Sequence, residues 1–262
     1  MATLQENQPA PPTPGDSYVQ SFARGLQVIR SFSEKAPRQT LSDVAAATGL
    51  TRAGARRILL TLQALGYVAS DGKLFALTPR ILDLGFAYLS SMPIWNRAEP
   101  VMETLVQQVQ ESCSAAVLDG TDIVYVLRVS THKIMRISLG VGSRLPAWCT
   151  SMGRLLLSEL DEPSLRERLE ASGIEALTRH TLTDIDALVA KVQQARRQRW
   201  CLVNQELEEG LISIAAPIVD RSGRMVAALN ISGQANRTSA KVMQETMLPP
   251  LVAAADEISR LL

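Results

Sequence analysis

From residue 18 to residue 90 the apolar positions recur mostly at helical spacing, and each run is closed by a residue that cannot continue it. Phe22, Leu26, Ile29 and Phe32 predict a helix over 19–32 that stops ahead of Pro37. Thr40 predicts the cap of a short helix, LSDVAAAT, with Asp43 placed where its carboxylate meets free amides and the positive helix end. Gly49 ends that helix as a left-handed residue. Thr51 caps the next one, in which Ala55, Ile58, Leu59, Leu62 and Leu65 form one apolar stripe and Gly66 closes the run. The pattern then switches to short strands, Tyr67–Ala69 and Leu74–Leu77, around the turn signal Asp71-Gly72. Pro79 opens a further helix, ILDLGFAYLSS, and Pro93 breaks the pattern.

Beyond residue 94 helix and strand signals alternate, which predicts a mixed α/β module. Helices are expected over 95–111, 151–160, 162–172 and 184–199, and strands over 114–118, 123–129 and 134–139. A second hairpin, 210–219 with 225–232, turns at Ser222-Gly223, and a last helix from Ser239 is interrupted at Pro249-Pro250. The expected organisation is a disordered, proline-rich tail (1–17), an N-terminal domain (18–78), a linker helix (79–94) and a second domain (95–262). The fold class is α+β.

Composition narrows this little. The 262 residues carry a net charge of +1, so any preference for anions rests on local placement. Residues 1–90 hold nine basic against six acidic side chains, and the remainder 18 against 20. Three unpaired cysteines and two distant histidines suggest neither a disulfide framework nor a metal site, and no cofactor is implied. With no membrane-length apolar run and no signal peptide, a cytoplasmic protein is expected.

Local charge does gather in GLTRAGARR, residues 49–57, where Arg52, Arg56 and Arg57 stand on the helix after the Gly49 turn. Two short helices around a tight turn followed by a hairpin predict a winged helix-turn-helix. Arg52 and Arg56 are one turn apart on the face opposite the apolar stripe, and guanidiniums there suit guanine edges or phosphates in a major groove. Thr51, Ala53 and Lys73 at the hairpin tip complete the expected DNA-facing set. The plain alternative is that the arginines solvate an exposed helix. Gly54 is discordant, since an interior helical glycine costs about 1 kcal/mol relative to alanine; close backbone approach to DNA would account for it.

The segments YVQSFARGLQVIRSF, LSDVAAATGLTRAGARRILLTLQALGYV, LTPRILDLGFAYLSS, GSRLPAWCTSMGR, QELEEGLISIAAPI and AALNISG together resemble the IclR family of transcription regulators over residues 18–262. Within it they look most like the PcaR/PobR-like branch that controls aromatic-acid catabolism. The resemblance implies a C-terminal effector-binding domain of the GAF/PAS type, a double-stranded DNA operator and a homodimer, with pairing into tetramers left open. It also implies a small aromatic acid as effector, such as protocatechuate or 4-hydroxybenzoate of the β-ketoadipate pathway.

The residues of the second domain admit such a site. Strand periodicity gives each strand of the second hairpin one bulky face and one small, partly polar face, the latter carrying Ser213, Asn230 and Ser232. That face is either solvated or lines a pocket, where small side chains leave room and a few polar groups orient a ligand. Thr150 or Ser151 caps a helix whose first amides point outward and welcome a carboxylate. Arg136 shares a strand face with Ser138, as a counter-charge or an exposed strand arginine. By resemblance the pocket positions are Ser151, Met152, Val203, Ser213, Asn230 and Ser232. Trp148 and Met152 suit an aromatic ring or plain core, and the default reading of Glu206, beside them, is a solvated acid.

The expectation is a ligand-responsive regulator that dimerises through the N-terminal domain and linker helix and has no catalytic residue. Two alternatives remain. Cys149 near a helix start could be a nucleophile, but no histidine is placed beside it by the sequence. An effector-blind architectural DNA binder has no use for some 170 residues beyond the linker.

Overall fold

The computed structural model describes residues 18–91, 94–131 and 139–262. The expectations for the 1–17 tail, for Pro93, for the strand from Ile134 and for Arg136 fall outside these. The chain divides into two compact units, Met1–Ala87 and Tyr88–Leu262. No helix among the described residues is long and apolar enough to cross a membrane.

The first unit holds α1 (Gln20–Ser31), β1 (Arg38–Thr40), α2 (Leu41–Thr48), α3 (Arg52–Ala64), β2 (Val68–Ser70) and β3 (Leu74–Leu77). Local chemistry explains α2 closely. The Thr40 hydroxyl accepts the Asp43 amide at 3.3 Å and the Asp43 carboxylate accepts the Thr40 amide at 2.9 Å, while Gly49 leaves the helix at φ 65°. Val28, Val44, Ala55, Leu59, Leu62 and Val68 are buried where the three helices meet the hairpin. The expected stripe of α3 is narrower than its spacing suggested: Ile58 is half-buried and Leu65 is exposed, because the chain leaves the bundle at the turn into β2. The hairpin also gains a third strand. β1 pairs antiparallel with β3, giving the order β1-β3-β2.

A 3₁₀ turn (Pro79–Ile81) leads into α4 (Leu82–Ser90), after which the second unit contains α5 (Ile94–Val109), β4 (Ser112–Asp119), β5 (Asp122–Val129) and β6 (Arg144–Pro146). A 3₁₀ turn (Ala147–Cys149) then precedes α6 (Ser151–Leu157), α7 (Glu162–Glu170), α8 (Ile185–Gln198), β7 (Cys201–Asn204), β8 (Leu211–Val219) and β9 (Met225–Gln234). Among the described residues six strands form one antiparallel sheet, ordered β6-β5-β4-β9-β8-β7. Strand alternation sends Ile212, Ile214, Ala216, Ile218, Leu229 and Ile231 to one side, where α5 and the C-terminal helix bury them. Ala215, Ala228, Cys201 and Val203 pack on the other side with α6, α7 and α8. The sheet is therefore covered on both faces.

The C-terminal helix corrects one expectation. Pro249-Pro250 do not interrupt it; they stand in the first turn of α10 (Leu248–Arg260), where a missing N–H is tolerated. The irregularity lies upstream, as a π-helical turn, Met243–Met247, between α9 (Ala240–Val242) and α10. Two prolines cannot donate to the carbonyls one turn back, and the wider turn accommodates the lost bonds.

Candidate functional site

In the first unit, Thr51 caps α3 by accepting the Gly54 amide at 3.1 Å, which leaves its hydroxyl hydrogen available. A Cβ on Gly54 would lie 3.2 Å from that hydroxyl oxygen, so the cap itself gives a reason for glycine here. Arg52, Ala53, Arg56 and Arg57 are exposed, and no ion pair holds the three guanidiniums among the described residues. Arg57 also borders a groove that α1 lines. Lys73 sits on the β2–β3 turn, whose backbone is fixed by Asp71: its carboxylate accepts the Lys73 and Leu74 amides at 3.0 and 2.8 Å and pairs with Arg38. These amide bonds hold the Asp71 carboxyl below its ordinary range.

In the second unit, Thr150, Ser151, Met152, Val203, Glu206, Ser213, Asn230 and Ser232 all line one cavity, together with Tyr125, Leu139, Leu145, Cys149, Leu207 and Leu211. Every expected effector position among the described residues thus lines that cavity. The small polar strand face is not solvated, because α6 covers it; Ser213, Asn230 and Ser232 are each at least nine-tenths buried. Thr150 is the cap of α6 and accepts the Gly153 amide at 3.2 Å, while Ser151 is the first helical residue and donates its hydroxyl to Ser213 at 2.9 Å. α6 is buried along its whole length, and its first residues line the cavity. Trp148 is core, whereas Met152 both packs in the core and lines the cavity. Burial pushes the Tyr125 phenol up to about 12, which keeps it a hydrogen-bond donor.

Glu206 is the largest correction. It is no solvated acid: both its oxygens face the Arg154 guanidinium, at 2.7 and 2.5 Å, and its side chain is 13% exposed. Arg154, which drew no attention in the sequence, is almost completely buried and also donates to the Trp148 carbonyl at 2.8 Å. One guanidinium thereby ties together the 3₁₀ turn, α6 and the β7–β8 loop around the cavity. Gly153 is the second residue sequence reasoning passed over. A Cβ there would come within 2.1 Å of the Ala147 carbonyl oxygen, so α6 seats on the turn only through glycine. The one available signal was the run Cys149-Thr150-Ser151-Met152-Gly153-Arg154, which puts a glycine and a charge inside an otherwise apolar helix.

Cys149 lines the cavity with its thiol directed at the Pro146 carbonyl, and burial pushes that thiol up to about 12. This is the reverse of an activated nucleophile. Iodoacetamide at pH 8 is therefore expected to leave Cys149 unmodified in the native protein and to modify it after denaturation. Rapid native labelling, followed by peptide mapping, would contradict that burial.

Comparison with known proteins places the chain. Residues 21–72 match the model of the IclR helix-turn-helix domain, and residues 86–260 that of the bacterial transcriptional regulator IclR C-terminal domain. The chain is 44% identical over 242 residues to the Pca regulon regulatory protein of Pseudomonas putida, covering 92% of this chain and 83% of that one. Among solved structures, a transcriptional regulator from Rhodococcus sp. RHA1 superposes with a TM-score of 0.82 at 50% identity, over 93% of this chain and 98% of its own. The inducer-binding domain of the PobR transcription factor from Acinetobacter, a double mutant in complex with 3-hydroxybenzoic acid, matches with a TM-score of 0.61 at 33% identity. That match covers 64% of this chain and 98% of the other.

Proposed function

The chain belongs to the IclR family of transcriptional regulators, and from that premise we propose that it binds an operator as a homodimer and is switched by a small hydroxylated aromatic acid. The observation that carries the effector reading is the convergence of eight expected positions on one buried cavity, in a chain similar to a Pca regulon regulator and to a hydroxybenzoate-bound domain. Residues 18–78 act as the DNA-binding domain, 79–94 as the linker and 95–262 as the effector domain.

Two copies are needed to present two α3 edges to adjacent half-sites. An unpartnered apolar face supports dimerisation: Phe22 and Leu26 on α1, Leu65, and Leu82, Leu84 and Phe86 on α4 are all exposed, and α1 borders a groove of about 910 Å³. A solvated monomer has no use for so many large apolar side chains.

The cavity of the second unit is small, about 30 Å³, against the roughly 150 Å³ known to hold a benzene ring. The described conformation is thus narrower than an aromatic acid, and an acid that binds a more open conformation better shifts the population toward it, which is what a switch requires. A ligand that favours the native state raises its stability by about 2.7 kcal/mol at a hundredfold excess over Kd. Thermal melting with 4-hydroxybenzoate and protocatechuate is thus expected to show a clear upward shift; no shift with any aromatic acid would remove the effector half of the proposal.

For the DNA half, Arg52→Ala or Arg56→Ala is expected to weaken operator binding by about 1–3 kcal/mol if the residue reads a base, or to lower the salt slope by about one if it holds a phosphate. Anisotropy titrations at several salt concentrations separate the two. Unchanged affinity and slope would take that arginine out of the interface.

A further inference from the structure

Polar atoms left over after internal pairing show how the cavity can discriminate among acids. On the β8–β9 wall, the Ser213 oxygen accepts from Ser151, which leaves its own hydrogen unspent. The Asn230 side-chain oxygen accepts the Ser114 amide at 3.1 Å, which fixes the amide orientation and leaves both N–H hydrogens available. Ser232 lies directly across from Ser213 and makes no hydrogen bond through its hydroxyl among the described residues. The wall therefore presents donors.

The β7–β8 loop presents the opposite. Glu206 takes one guanidinium N–H on Oε1, and a second plus the Leu182 amide on Oε2, the latter at 3.1 Å. That uses three of about four acceptor sites, so Oε1 keeps one. Glu206 stands in the loop beyond β7, whose neighbour across roughly 5 Å is β8 with Ser213; Asn230 and Ser232 on β9 lie one strand further, roughly 10 Å from β7. Arg154 spends three of its five N–H groups on Glu206 and the Trp148 carbonyl, is almost completely buried, and is not among the residues that line the cavity. No lysine or arginine lines the cavity among the described residues.

We propose that Glu206 sets the class and orientation of the effector: the acid's carboxylate lies against the Ser213, Asn230 and Ser232 donors, and a ring hydroxyl on its far side donates to Glu206. Ring-hydroxylated aromatic monocarboxylates are accepted. Unsubstituted acids leave the last acceptor of a buried carboxylate unmet, and dicarboxylates bring a second negative charge against it. This inference rests on the cavity being the effector site.

The test is calorimetric titration of the full chain with 4-hydroxybenzoate, benzoate and benzene-1,4-dicarboxylate. 4-Hydroxybenzoate is expected to bind at least about tenfold more tightly than either of the others, the discrimination a hydrogen bond to a charged acceptor supplies. The Arg154→Met, Glu206→Gln double variant removes both charges together, and in it the gap to the dicarboxylate is expected to narrow. Benzoate or the dicarboxylate binding the unaltered protein within about twofold of 4-hydroxybenzoate overturns the inference and leaves the effector site standing. Binding by none of the three removes the effector site and the inference with it.

Discussion

Replacing Arg154 with alanine is expected to cost about 3–5 kcal/mol of folding stability, because it strands a carboxylate in a nearly closed cavity wall. The loss is not the value of the ion pair itself. Two desolvated charges repay their burial only when every donor and acceptor is met, and here the guanidinium also satisfies the Trp148 carbonyl. Removing both charges with Arg154→Met and Glu206→Gln is accordingly expected to recover most of the stability, since neither charge is then left alone. Urea unfolding of the two single variants and the double variant measures this coupling. Additive losses would show that the pair is not the clamp described above.

Gly153→Ala is expected to be nearly as damaging for a different reason. The new methyl would meet the Ala147 carbonyl oxygen at 2.1 Å, the Ala147 Cα at 2.3 Å and the Thr150 hydroxyl at 2.5 Å. Two of these are backbone atoms, so no rotamer change relieves the overlap, and α6 must lift from the turn that carries Trp148 and Cys149. Overpacking of this kind costs about 3 kcal/mol or more, which in a unit of this size lowers the melting temperature by roughly 6–12 °C. Gly140→Ala is the control. Gly140 is exposed, its φ lies outside the left-handed region and no atom lies within 4 Å of the added Cβ, so the same change there is expected to leave stability unchanged or raise it by up to about 1 kcal/mol. Equal melting temperatures for Gly153→Ala and the unaltered chain would contradict the close seating of α6.

Both residues mark where sequence reasoning ends. The limits of α2 were legible because every signal is local: Thr40, Asp43 and Gly49 sit within ten residues and each has a short-range partner. The β8–β9 hairpin was legible from alternation alone, and so was the exposure of Arg52 and Arg56 opposite their apolar stripe. β1, β6 and β7 were not. Each is only three or four residues long, too short for a period-two pattern, and is fixed by pairing with a distant strand. The fate of the polar sheet face was undecidable for a similar reason, since it depends on whether α6 lies over it. Arg154 and Glu206 are 52 residues apart, so their pairing leaves no spacing to read. Six of the cavity positions were named by family resemblance and Thr150 by its capping role; strand alternation had brought only Ser213, Asn230 and Ser232 to one face.

The central claim is that one chain reads DNA with α3 and lets an aromatic acid in the second unit alter that reading. Its most direct test is titration of a fluorescent duplex, selected by the protein itself from a random-sequence pool, with and without saturating 4-hydroxybenzoate or protocatechuate. We predict saturable, salt-sensitive binding by a dimer whose affinity for the duplex, or whose footprint on it, changes when the acid is present. Identical affinity and footprint in both conditions, with the acid demonstrably bound, would contradict the account.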